Sequence, residues 1–157
     1  MNKFLLSLIS ILCLVIIFLI FSLNKVDTGF ISIKSSHNVK NTADQLEKIL
    51  INKGMTVFAR INHASAAEKI GKKLAPTELI IFGNPKVGTP LMQDNQSVAI
   101  DLPQKALIWE DKDGVVWFSY NTPKYLKKRH SLTRSDDLLK KIEGVLEIFS
   151  KAATSEL

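Results

Sequence analysis

Residues 79–120 (LIIFGNPKVGTPLMQDNQSVAIDLPQKALIWEDKDGVVWFSY) hold this chain to one kind of fold. The run begins as a continuous apolar strand, turns at Gly83-Asn84-Pro85, passes through a short amphipathic connection, breaks at Leu102-Pro103 and ends as a hairpin. Each break has a local cause: Gly tolerates either sign of φ, Asn accepts the left-handed region, and Pro lacks the N–H that a continuing ladder needs. Residues 105–110 and 115–120 alternate as strands do, and Asp113-Gly114 between them supplies the positive φ of a tight turn. Trp109, Trp117 and Tyr120 put much of the aromatic mass in this hairpin.

The flanking sequence supplies the other layer. Residues 29–34 (GFISIK) and 55–61 (MTVFARI) alternate and read as strands, with their relative direction open. A helix between them starts somewhere from Asn38 to Thr42, with Thr42 and Gln45 at capping-box spacing. Val39, Leu46, Ile49 and Leu50 form its apolar stripe, and Gly54 ends it. The Ala-rich residues 64–73 predict a second helix, closely packed on a sheet through Ala67, Ile70 and Leu74 and stopped by Pro76. Pro90 begins a short helix with Leu91 and Met92 inward, and Pro123 opens a short basic segment. Ser135 is the expected cap of a last helix, with Asp136 and Asp137 in its first turn and a wide apolar face from Leu138 to Phe149. The order predicts an α+β two-layer sandwich: a mostly antiparallel sheet of about five strands with helices packed on one face.

Residues 4–23 (FLLSLISILCLVIIFLIFSL) carry no charge and as a helix would reach about 30 Å, enough to cross a bilayer. No Ala-x-Ala pattern follows, so the segment reads as an uncleaved transmembrane anchor. Lys25, Lys34 and Lys40 follow it and only Lys3 precedes it, which counted literally favours a cytoplasmic domain. A very short basic N-terminus ahead of a long apolar run behaves as a signal-anchor, however, and the later lysines are dispersed and partly offset by Asp27. The domain is therefore expected on the exported side. The chain divides into residues 1–24 as anchor or uncleaved signal, 25–28 as tether, 29–132 as the α+β domain and 133–157 as an amphipathic helix and tail.

Lys3 aside, the other 20 Lys and Arg and all 15 Asp and Glu lie from Lys25 onward, a surplus of five positive charges that is ordinary for a solvated surface. Cys13 falls inside the apolar run, which leaves the domain without disulfide, thiolate nucleophile or cysteine metal ligand.

Seven separated motifs then occur in order: Gly54 before TVFARI, Asn62-His63 before the Ala-rich helix, Gly83-Asn84-Pro85, Gly88-Thr89-Pro90-Leu91-Met92, Leu102-Pro103, LIWED, and Gly114 to Tyr120. Over residues 31–132 the chain resembles the bacterial domain of unknown function number 302. The resemblance implies a compact α+β domain that forms homodimers, and it implies no activity. With the anchor, it places the domain on the outer side of a bacterial inner membrane.

His63 ends a strand and opens a helix, where an imidazole can serve as ligand, acid or base. With Arg60 on the same strand, and Asn84 and Lys86 in a turn of free backbone N–H groups, it forms the expected site for a small polar or anionic ligand. Asp101, between Ile100 and Leu102, is the second candidate acid/base group, so an enzyme using His63 and Asp101 is the alternative, beside a structural or protein-binding module. No cofactor is expected. His37, His63 and His130 are dispersed with no metal-binding spacing, and no Gly-x-Ser-x-Gly elbow occurs. Lys124, Lys127, Lys128, Arg129, His130 and Arg134 make the densest basic cluster, which could meet lipid head groups. Tyr125 alone is too little aromatic surface to suggest nucleic acid.

Overall fold

The computed structural model describes residues 28–156, together with Leu12. The expected anchor at residues 4–23 lies, but for Leu12, outside the described residues, as does most of the expected tether. Among the described residues no helix is long and apolar enough to cross a membrane.

Five strands, β1 (Phe30–Lys34), β2 (Thr56–Asn62), β3 (Thr77–Gly83), β4 (Gln104–Glu110) and β5 (Val116–Asn121), form one sheet in the order β1-β5-β4-β3-β2. Every neighbouring pair is antiparallel, so the α+β architecture is as expected. The strand at 55–61 does not pair with the first: it lies on the far edge, against β3. Two long helices, α1 (Val39–Asn52) and α5 (Asp136–Thr154), pack on one face. Strand period two decides which residues meet them. Glu78, Ile80 and Phe82 of β3 stand opposite Ile108, Ala106 and Gln104 of β4, and the apolar members of this set are buried with Leu46, Leu50, Leu146 and Phe149. On the other face Leu79, Ile81, Leu107, Trp109 and Trp117 are half-exposed.

The local signals work with some changes of detail. Asn38 caps α1 by accepting from the Asn41 N–H at 2.8 Å, and Thr42 is buried instead, bonded to the Ser35 hydroxyl at 2.7 Å. The second helix, α2, is only His63–Glu68, and none of its residues is buried. Three alanines offer too little apolar area to hold a helix on a sheet, and the chain turns through Ile70 and Gly71, the latter at φ +70°, leaving Ile70 and Leu74 exposed. The third, α3 (Pro85–Asp94), begins five residues before the expected Pro90, because the Asn84 side chain accepts from the Lys86 N–H and Pro85 is preset for a first turn. A 3₁₀ turn (Gln96–Ile100) follows, and the basic segment is a helix, α4 (Pro123–His130), capped by Thr122. Ser135 precedes α5 without capping it. Its hydroxyl donates to Asp94 at 2.7 Å and ties α5 to α3.

The registers collect particular segments at one end of the sheet. Phe30 opposes Asn121, Phe82 opposes Gln104 and Thr56 opposes Gly83. The start of β1, the end of β5, the start of β4, the end of β3 and the start of β2 therefore share that end, along with α3, the 3₁₀ turn and α4. His63 and α2 lie at the other.

Candidate functional site

Arg60 is already committed. Its Nε donates to Glu78 at 2.6 Å, and its Nη1 donates to Asp44 at 2.7 Å and Glu47 at 3.0 Å. Burial opposes its charge, and the hydrogen bonds it donates to Glu78, Asp44 and Glu47 outweigh that and raise the guanidinium pKa. Hydrogen bonds from Lys40 and then Arg60 hold the Asp44 carboxyl below its usual range. Three carboxylates around one guanidinium leave no excess positive charge for an anion.

The turn after β3 is committed too. Asn84 takes the Lys86 N–H with its side chain and the Val87 and Gly88 N–H groups with its carbonyl, so those amides serve helix α3 rather than an anion. His63 is exposed on α2. It stands past Asn62, which pairs with Glu78, whereas Asn84 follows Gly83, which pairs with Thr56. At about 3.3 Å per residue the two sites are roughly 20 Å apart, so the structure does not bring His63 and Arg60 together with Asn84 and Lys86.

Asp101 has a histidine partner, and it is His130. The Nε2 of His130 lies 2.6 Å from Asp101 Oδ2, and its Nδ1 lies 2.9 Å from the Ser97 hydroxyl. Arg129 Nη1 reaches Asp101 Oδ1 at 3.4 Å and also the Tyr125 hydroxyl. His130 is 5% exposed, while Ser97 is on the surface. The line fastens the 3₁₀ turn to α4, and Asn95 adds a hydrogen bond to the His130 carbonyl at 2.8 Å. Sequence reasoning placed His130 only in a basic cluster. The available signal was its spacing of four from the apolar Leu126, which turns both to the buried face of α4.

Beside this line, at the same sheet end, is a cavity of about 680 Å³ between the sheet, α3 and α5. Its wall is largely apolar, built from Met55, Phe82, Val87, Leu91, Val145 and Phe149. Leu102 and Pro103, next to Asp101, complete one side, and Lys53 and Lys141 stand on the lining. Gln104 is also on the lining, and its Nε2 is buried without a hydrogen-bond partner. An orphaned buried amide donor costs roughly 1–3 kcal/mol, and a ligand acceptor would remove that cost. The sequence signal was the apolar face of α5, which is wider than the sheet covers: Val145 and Ile148 stay 41% and 60% exposed. No group of His, Cys, Asp and Glu among the described residues could hold a metal.

The family model for "Domain of unknown function DUF302" matches residues 31–149. The chain belongs to this family. The match takes in nearly all of the DUF302 domain's described elements, including most of α5. The "Fluoride-specific ion channel FluC 1" of Brucella suis is 45% identical over 113 residues, which is 72% of this chain and 44% of that protein. A protein of the same name from Brucella abortus is also 45% identical over 113 residues, 42% of its length. The DUF302 chain thus spans less than half the length of these relatives. Its fold is like that of an uncharacterized conserved DUF302 protein from Bacillus stearothermophilus, with TM-score 0.63, 20% identity, and coverage of 81% of this chain and 96% of that one.

Proposed function

We propose that this DUF302 domain is a membrane-tethered, non-catalytic binding module whose ligand is a small apolar molecule carrying a hydrogen-bond acceptor. The observation that carries this is a largely apolar cavity of about 680 Å³, a size and lining usual for small-molecule sites, with Gln104, whose Nε2 has no hydrogen-bond partner, among its lining residues. The small polar or anionic ligand expected from the sequence loses its support, because Arg60 and the amides after Asn84 are already paired. Residues 4–23 are the tether, and the domain stands on the exported side of a bacterial inner membrane. The 45% identity to part of a fluoride channel, itself a membrane protein by its name, supports a place beside the bilayer. Two copies pair through the half-exposed face bearing Leu107, Trp109 and Trp117, and Leu107→Lys is expected to leave a folded monomer in light scattering.

The test of the binding reading is a titration with a naphthyl ketone fluorophore, which pairs an apolar body with one carbonyl. The wild-type chain is expected to bind it in the micromolar range. Gly88→Phe, which projects a ring from α3 into the cavity, and Val145→Trp, which does so from α5, are expected to weaken binding at least tenfold. Equal binding by all three folded proteins would sink the reading.

One observation favours a hydrolytic alternative: hydroxyl, imidazole and carboxylate stand in line at Ser97, His130 and Asp101. Labelling of Ser97 by an organophosphonate, lost in His130→Gln, would establish it. A chain that stays unlabelled keeps the non-catalytic reading.

A further inference from the structure

The N-terminal segment leaves the domain beside a basic helix. Gly29, just ahead of β1, is buried, and its carbonyl accepts from the Thr122 N–H at 2.9 Å and from the Thr122 hydroxyl at 3.3 Å. Thr122 is the N-cap of α4. A Cβ at Gly29 would come within 2.4 Å of Tyr125 Cδ2, so the chain passes directly against the first turn of that helix. The 28 residues up to this point include the uncharged run at 4–23, and only a handful of residues separate that run from Gly29.

The outward face of α4 is cationic throughout: Lys124, Lys127, Lys128 and Arg129 are exposed, while Pro123, Leu126 and His130 are buried beneath them. Asp136 pairs with Lys127 at 2.6 Å and Asp101 accepts from Arg129 at 3.4 Å. Lys53 and Lys86 are exposed at the same sheet end. Lys72 and Lys73 are equally exposed at the other end, far from where the tether leaves, so position rather than charge alone distinguishes α4.

We propose that the α4 face docks on anionic lipid head groups, holding the domain with this end against the bilayer and turning the cavity toward its surface. This rests on residues 4–23 being a membrane tether. Basic side chains within a Debye length of an anionic leaflet gain favourable energy one by one, each about a fivefold preference, so three lysines together reach on the order of a hundredfold. The tether supplies proximity, and α4 selects the orientation.

The test is lysine acylation footprinting of the full chain in lipid nanodiscs, read by mass spectrometry. In discs containing phosphatidylglycerol, Lys124, Lys127 and Lys128 are expected to react several-fold more slowly than in phosphatidylcholine discs. Lys72 and Lys73 are expected to react equally in both, and 0.5 M salt is expected to erase the protection. Unchanged rates on α4, or protection shared by Lys72 and Lys73, would overturn the proposal. Co-elution with phosphatidylcholine discs reports the tether separately. If the chain does not co-elute, the same footprint is taken with phosphatidylglycerol vesicles added to the free chain: salt-sensitive protection confined to α4 still supports the docking face, and its absence overturns it.

Discussion

Position 130 holds an imidazole at both nitrogens, and position 63 leaves one in water; the stability of the domain should therefore depend on the first. Removing His130 would open a hole on the buried side of α4 and strip Asp101 of its 2.6 Å partner. His130→Ala is expected to lower unfolding free energy by about 2–4 kcal/mol in urea titration, and His63→Ala by less than about 0.5 kcal/mol. Besides Asp44, two more carboxylates shape the acid side of the stability profile. The Ser135 hydroxyl, followed by the Arg134 backbone, holds the Asp94 carboxyl below its usual range, and the Trp117 indole N–H, followed by the Val115 N–H, does the same at Asp111. A carboxyl with a depressed folded pKa stabilises fully above its unfolded value and stops doing so as pH falls through the folded one. The thermal midpoint should be flat from neutral pH to about pH 5 and fall below about pH 4, less steeply in Asp111→Asn. Of the residues singled out from sequence, Asp101 is in a dyad and His63 is not, because the partner at 130 is brought near by tertiary packing across 29 positions. No local pattern encodes that distance.

Elements were legible wherever a local signal and burial agreed. The apolar run of β3, the Asp-Gly hairpin and the stripe on α1 lie where period and turn chemistry put them, since the same residues both favour the element and fill the core. Residues 64–73 failed because helix propensity without apolar bulk gives no reason to pack, and the turn at Gly83-Asn84-Pro85 was misjudged because the same three residues suit either an open loop or a capped helix start. The cavity was hidden for a related reason. Residues of α3, α5 and three strands line it, and each reads alone as an ordinary core position. Gln104 gives the element-scale test: Gln104→Leu removes a buried orphan donor and is expected to raise the stability of ligand-free protein by roughly 1 kcal/mol while weakening the naphthyl ketone. Phe149→Ala, at the cavity wall, is expected to cost about 3–5 kcal/mol.

At the scale of the whole molecule, antiparallel pairing throughout the sheet gathers Gly29 at the start of the domain, the basic helix, the His130 line and the cavity at one end. A ligand partitioning from a bilayer would meet the cavity there, with Lys53 and Lys141 on its lining. The fold class could be read from element order alone, whereas this convergence depends on strand registers that sequence leaves open. Native mass spectrometry of the full chain, released gently from membranes beside its Gly88→Phe variant, tests the central claim most directly. The account predicts a bound small molecule of defined mass on the wild-type chain that is absent from the variant. Two folded proteins that both fly bare, or that carry the same adduct, would contradict it.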